Sequence, residues 1–333
     1  MRVEPGLQRI RNLCKEGRFQ QAFDESHRAG LHFEGAMLQL QHDRSHYAME
    51  LLKKSEDPAV WERGAREMLR RKLPDPAAEL LEKAAGLAEK EGAEAKAREL
   101  YFKAGHAAVA YKRPDYAVEM FDKANKQQEG ARILSFKGWK AWGAMLLHQG
   151  DFHEEADIME RKARKSDITA RDNWIEAKRL EQEVEEAKKS EASESDIAAK
   201  EKLIAKHYKT AASASTRLKI HPLHPFATMF YAMGDDLEKS VERAMRAGRP
   251  DWLVPISELF GAPKPKIRKW ADRVARQGQN KVAAELYEMA DEPAKGGDSA
   301  MQAKEFLWAA RLYKKAKRQR AYIEAMKKAK FGA

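Results

Sequence analysis

The stretch from Tyr101 to Ala124, YFKAGHAAVAYKRPDYAVEMFDKA, constrains this chain more than any other. Tyr101, Ala104, Gly105 and Ala108 recur at three- and four-residue steps, so they share one face of a helix. Ala117, Phe121 and Ala124 repeat that spacing in a second helix. Between them Lys112-Arg113-Pro114-Asp115 carries a proline that the first helix cannot pass through. Small residues beside aromatic ones let two short antiparallel helices approach closely. This grammar predicts paired helices over much of the chain.

Composition supports that reading. Alanine, Leu, Glu, Lys and Arg, all strong helix formers, dominate the 333 residues, and 43% of the chain is hydrophobic. Alternating Val/Ile/Thr runs are missing, so the expected class is all-α. A first pair spans Val3 to Ala29 and stops at Gly30; a second runs from His32 to Ser55. Asp57-Pro58 opens a third as a cap with proline in the first helical position. Trp61, Ala65 and Met68 line its first helix, which Pro74-Asp75-Pro76 breaks. Trp139, Trp142, Gly143 and Leu146 form a heavy aromatic stripe before a turn at Gly150-Asp151-Phe152. There Ala156 falls one place later than the small residue expected. Trp174, Ala177, Leu180 and Val184 begin a longer helix. Ser190 to Asp196 makes a polar hinge in which Ser195 or Asp196 caps the helix that returns. His221-Pro222-Leu223-His224-Pro225 marks a boundary. The later pairs include one after a loop at Gly296-Gly297. The expected divisions are 1–168, helical repeats; 169–220, a long antiparallel hairpin; and 221–333, further repeats with a basic end.

The aromatic–small–Gly…Ala…aromatic…Ala order after Tyr101 resembles the tetratricopeptide repeat, and Glu16-Gly17-Arg18-Phe19, Gly150-Asp151-Phe152 and Trp61 with Ala65 resemble it too. The resemblance implies an α-solenoid of antiparallel helix pairs, a TPR-like superhelix with about 34 residues per pair. It also implies a non-enzymatic scaffold or adaptor whose groove holds a protein or peptide. Ala22, Ala48, Ala77, Ala117, Ala156 and Ala283 head second helices at uneven intervals, which makes the array degenerate. The family's peptide-carboxylate clamp uses Lys, Asn and Arg on first helices. Lys137 and Lys140 stand near such a face, without the rest of the clamp.

The chain carries no phosphate-cradling loop, dinucleotide fingerprint or nucleophile elbow. His42 and His46 have metal-ligand spacing but lack the intervening Glu, and a surface pair is the simpler reading. His153-Glu154-Glu155 reads as a charged helix start. No catalytic residue, cofactor or metal is expected. One cysteine, Cys14, excludes an intrachain disulfide, and its apolar neighbours suit a buried thiol. With no export signal or apolar run able to span a bilayer, a cytoplasmic protein without membrane insertion is expected.

The formal charge is +11 and the pI near 9.4. Its excess of cations gathers late in the chain, in Lys266, Lys269 and Arg273 and again in Arg311, Lys315 and Arg318. With Lys137 and Lys140 these are the expected partner-binding residues. An acidic protein is favoured over RNA because Trp270, Trp308, Tyr313 and Tyr322 fall on apolar stripes, away from any base. The alternative is an RNA-binding repeat protein acting through the basic C-terminal third.

Overall fold

A computed structural model describes residues 5–190, 193–218 and 223–331. Val3, Glu191, Ala192, His221, Pro222 and the 220/221 division lie outside the described residues. Within them the chain is an all-α solenoid of 21 α-helices, one 3-10 turn and no strand, with each helix packed mainly on its sequence neighbours. The helices are α1 Pro5–Lys15, α2 Phe19–Arg28, α3 His32–Gln41, α4 Ser45–Lys54, α5 Pro58–Arg70, α6 Pro74–Lys90 and α7 Glu94–Ala110. There follow α8 Pro114–Lys123, α9 Gln127–Phe136, α10 Lys140–Gln149, α11 His153–Arg161, α12 Lys165–Lys189, α13 Glu194–Ser215 and α14 His224–Met233. The last are α15 Leu237–Arg246, α16 Leu253–Leu259, α17 Lys264–Arg276, α18 Asn280–Met289, α19 Pro293–Gln302, α20 Phe306–Lys315 and α21 Gln319–Phe331.

The repeating unit is a single helix of ten residues closed by a three-residue turn. The middle residue of each turn adopts a left-handed backbone conformation, and these residues mark the period. Gly17, Gly30 and Asp43 are 13 apart; so are Lys112, Asn125, Gly138 and Asp151, then Asp235, Gly248 and Gly261, then Gly278, Asp291, Lys304 and Lys317. The turn after α2 shows how the carbonyls left open at a helix end are satisfied. Gly30 N–H donates to the His27 carbonyl at 3.1 Å and Leu31 N–H to the Ser26 carbonyl at 2.9 Å. A pair of helices therefore spans 26 residues, shorter than the 34 expected.

Where the period lengthens, it does so by whole turns of helix. Lys72, Gly92 and Lys112 are 20 apart, seven more than the basic unit, and Gly261 to Gly278 is 17, four more. At about 3.6 residues per turn those additions are roughly two turns and one turn, so the buried face stays in register.

Five residues after most of the left-handed residues the chain places its smallest side chains; Leu253, Lys266 and Tyr322 are the exceptions. Ala22, Ala48, Ala77, Ala117, Ala156, Ala283 and Ala309 occupy this position and are fully buried. Gly35, Gly130, Gly143 and Gly296 hold it in the units between. Ala156 is thus in register, not late, and the uneven spacing of the alanines reflects glycines standing in for some of them. Gly296 and Gly297 form no loop. Both lie buried inside α19, where a Cβ on Gly296 would come within 3.2 Å of the Ala284 carbonyl, and one on Gly297 within 2.7 Å of the Tyr313 ring. Close approach of neighbouring helices, not a turn, requires them.

Two other local expectations resolve differently. Helix α5 does end before Pro74, as expected, but the prolines are not outside a helix: Pro74 and Pro76 both sit in the first turn of α6, which tolerates proline. The α13 cap is Ser193, whose hydroxyl accepts the Asp196 N–H at 3.1 Å, while Ser195 and Asp196 are already helical. The Asp57 cap holds as expected, its carboxylate accepting the Ala59 N–H at 2.8 Å.

The chain divides into two compact units, one of residues 62–248 and the other joining residues 1–61 to 249–333. In the contiguous unit the core is aromatic. Trp142 meets Phe226 edge-on at 5.6 Å and Trp174 at 5.4 Å, and Tyr208 lies 4.8 Å from Phe230. The base of the α12–α13 hairpin packs into this core through Trp174, Ala177, Tyr208 and Ala211, while residues 185–190 and 193–203 are mostly exposed.

The other unit brings the first and last helices of the chain together. Ile10, Cys14, Phe19 and Ala22 share a core with Trp308, Ala309, Leu312, Tyr313 and Ala325. The Trp308 indole lies over Gly17, where a Cβ would fall 2.1 Å from the ring, and it meets Phe19 edge-on at 5.2 Å. Glycine at 17 also accommodates a φ of 70°.

Candidate partner interface

Charged side chains complete the junction of the chain's two ends. Arg44, 1% exposed, pairs with Glu285 at 2.9 Å, donates to the Lys281 carbonyl at 3.0 Å and lies 4.7 Å over the Phe19 ring. Burial raises the Glu285 carboxyl above the usual range, and Arg44 draws it back down. Arg311 forms a two-pronged pair with Glu288 at 2.6 and 2.7 Å and donates to the carbonyls of Glu16 and Gly17. Lys281 bridges Asp43 and Glu305, and Glu305 also meets His42 at 3.4 Å. Ser45 donates to Asp251 at 3.0 Å. Arg311 therefore acts inside the fold.

The other basic residues are placed in three ways. Lys315 lies 3.4 Å from Asp291, and Arg318 3.6 Å from Asp298, so both stand half-exposed beside a carboxylate. Lys137 and Lys140 flank the α9–α10 turn in the contiguous unit. Lys137 Nζ sits 5.9 Å from the Phe136 ring, which is 86% exposed.

Lys266, Lys269 and Arg273 form a face of their own. Helix α17 buries Ile267, Trp270, Ala271 and Val274 at steps of three and four. That burial turns Lys266, Lys269, Arg273 and Arg276 outward together, and all four are exposed. Among the described residues none of the four forms an ion pair. The cations beside them are matched: Arg268 with Glu292 at 3.0 Å, Lys264 with Asp291 at 3.8 Å, and Lys295 with Asp272 at 3.1 Å. Eleven residues of helix, Lys266 to Arg276, carry this unmatched charge over about 15 Å. Exposed Leu259 and Phe260 lie just before it in sequence. The aromatic residues among the basic run are turned inward, with Trp270 and Trp308 each 1% exposed.

The reactive side chains that stand out in the sequence lie apart from one another among the described residues. Burial pushes the Cys14 thiol up to about 12, away from the thiolate that reacts. His42 and His46 do not share a helix, because the left-handed turn at Asp43 separates them; His46 stacks on Tyr47 at 4.2 Å and burial lowers it to about 4. No group of three or more His, Cys, Asp or Glu gathers at one metal position among the described residues. A groove of about 750 Å³ between α1 and α2 is lined by charges that already pair, including Arg9 with Glu25 and Arg18 with Glu16. No described helix is long and apolar enough to cross a membrane.

Sequence reasoning did not find Arg44 and Glu285. The one available signal was a glutamate inside the apolar run Val282-Ala-Ala-Glu-Leu-Tyr287.

No family model and no curated protein matches the chain. A solved structure described as "Circular tandem repeat protein with novel repeat topology and enhanced subunit contact surfaces" is similar over 97% of this chain and 73% of that one, at 16% identity and a TM-score of 0.16. At that score the backbones do not superpose, and the repeat fold rests on the helices and turns described above.

Proposed function

We propose that this protein is a non-enzymatic adaptor, a component of a multi-protein assembly, and that it receives an acidic protein partner on the outer face of α17. The observation that carries this reading is the unmatched charge of Lys266, Lys269 and Arg273 on one helix face, beside Lys264, Arg268 and Lys295, which have partners. Solvated lysines ordinarily alternate with acids on a helix face, as Lys178 does with Glu181. A face of four cations whose neighbouring acid, Asp272, is taken up by Lys295 and Tyr287 attracts an anionic surface and speeds its encounter. The kinship with tetratricopeptide-like arrays lies in this use of helix faces, since the 13-residue unit differs from that family's period. The lone cysteine, buried and reduced, suits a cytoplasmic setting.

RNA is the second reading, because the same face would neutralise phosphates. Photo-crosslinking from position 277, exposed just beyond this face, in cell extract, followed by mass spectrometry, tests the first. A protein with an acidic contact segment should be captured by the wild type and lost from the K266E/K269E/R273E variant. Capture that the charge reversal leaves intact removes α17 as the docking face. A gel shift with single-stranded RNA that weakens steeply with salt would move the assignment to the second reading.

A further inference from the structure

The 13-residue unit brings particular pairs of side chains together across each turn, three residues before the left-handed residue and two after it. At Asn125 those positions hold Asp122 and Gln127, which hydrogen-bond at 2.9 Å. At Gly30 and at Asp151 they hold two histidines. His27 Nδ1 lies 3.1 Å from His32 Nε2, and His148 Nδ1 lies 3.2 Å from His153 Nδ1. The two pairs belong to different compact units and are alike in ring placement, with centroids 5.4 and 5.5 Å apart and planes inclined by 40° and 35°, although Nδ1 faces Nε2 in the first and Nδ1 in the second.

That nitrogen spacing has a chemical meaning. Two imidazole nitrogens bound to one metal ion at about 2.0–2.1 Å, subtending 90–110° at the ion, stand roughly 2.8–3.4 Å apart. Behind the second pair the far nitrogens face carboxylates: His148 Nε2 is 3.9 Å from Asp157 and His153 Nε2 is 3.7 Å from Asp151. At those distances the carboxylates do not hydrogen-bond the rings, and they add negative charge beside the pair that favours a cation. His148 and His153 are 40% and 64% exposed, so an ion reaches them from solvent.

The geometry points to two bidentate sites for an imidazole-favouring divalent ion (Cu2+, Ni2+ or Zn2+), at His148 with His153 and at His27 with His32. Water fills the remaining coordination positions. Among the first-row divalent ions, Cu2+ binds such a site most tightly.

Calorimetric titration of the full chain with Cu2+ near neutral pH, in a weakly chelating buffer and with Mg2+ as control, tests this. The wild type should take up two Cu2+ and no Mg2+. H148Q/H153Q and H27Q/H32Q should each lose one equivalent, and the quadruple variant both, with unchanged thermal melting because the rings lie at the surface. Electron paramagnetic resonance of the Cu2+ form should show coupling to two imidazole nitrogens. Two results would overturn the assignment: no Cu2+ uptake beyond the Mg2+ level, or uptake that the paired substitutions leave unchanged.

Discussion

The two compact units use one helical module to make different kinds of core. Residues 62–248 form a core from neighbours in sequence, filled by Trp139, Trp142, Trp174, Tyr208, Phe226 and Phe230. The unit of residues 1–61 and 249–333 joins segments that lie far apart in the chain, through Trp308 and a set of buried or half-buried charges. Apolar packing is non-directional and suits helices that already follow one another. Joining distant ends also requires a register, which the Arg44–Glu285 and Arg311–Glu288 pairs supply by their geometry. The pairs need not add net stability, since burying both ions is costly, but losing one partner strands the other.

This contrast can be broken most forcefully at the two tryptophans. W308A and W142A should each cost about 3–5 kcal/mol, measured by denaturant unfolding. They should differ in where hydrogen exchange rises. W308A should free amides of α1–α4 and α17–α21 together, and W142A those of α8–α14. Exchange rising in only one half of the joined unit after W308A would separate those segments.

R44A comes next. It leaves Glu285 buried without its cation, and about 3–5 kcal/mol should be lost. R44A/E285L should recover much of that loss, because two apolar groups replace a buried pair at little cost. No recovery would mean that Arg44 acts through its ring and carbonyl contacts instead.

Asp167, in the contiguous unit, has an intermediate effect with a pH signature. Its Oδ2 accepts the Ala141 N–H at 2.7 Å, its Oδ1 has no partner, and burial pushes the carboxyl up to about 6. Between about pH 4 and pH 6 the folded state holds a proton that the unfolded chain has released, so stability falls as pH rises through that window. Relative to D167N, the wild type should lose about 2–3 kcal/mol across it. A pH-independent difference between the two would contradict this.

The smallest effect should appear equally in both units. Lys112 and Lys317 adopt left-handed conformations that cost an L-residue free energy. K112G and K317G should each stabilise by about 0.5–1 kcal/mol in denaturant unfolding. Destabilisation by either would show that the lysine side chain contributes more than the turn strain removes.

The helix class, the tight turns at Pro114 and Gly150, and the stop at Gly30 could all be read from residues, because periodicity and turn chemistry are local. The period itself was hidden by chemical degeneracy. Gly, Asp, Asn and Lys all serve as the left-handed residue, and Ala, Gly and Ser240 all serve at the helix crossing. Gly296-Gly297 looked like a loop because a glycine pair is ambiguous until its neighbours are known. The α17 face was legible because exposed charge at helical spacing is also local. The internal role of Arg311 was not, since its partners at Glu16 and Gly17 lie at the opposite end of the sequence.

The meeting of the chain's two ends is tested most directly by a distance. Spin labels at the exposed positions Lys15 and Lys314 can be introduced without removing Cys14, whose buried thiol resists the reagent. Arg311 reaches the Glu16 carbonyl at 3.0 Å, so pulsed dipolar spectroscopy should give one narrow distribution near 20 Å, about the reach of two labels across neighbouring helices packed 8–10 Å apart. A broad distribution centred beyond about 50 Å, as expected for ends separated by many stacked helices, would contradict the joined unit.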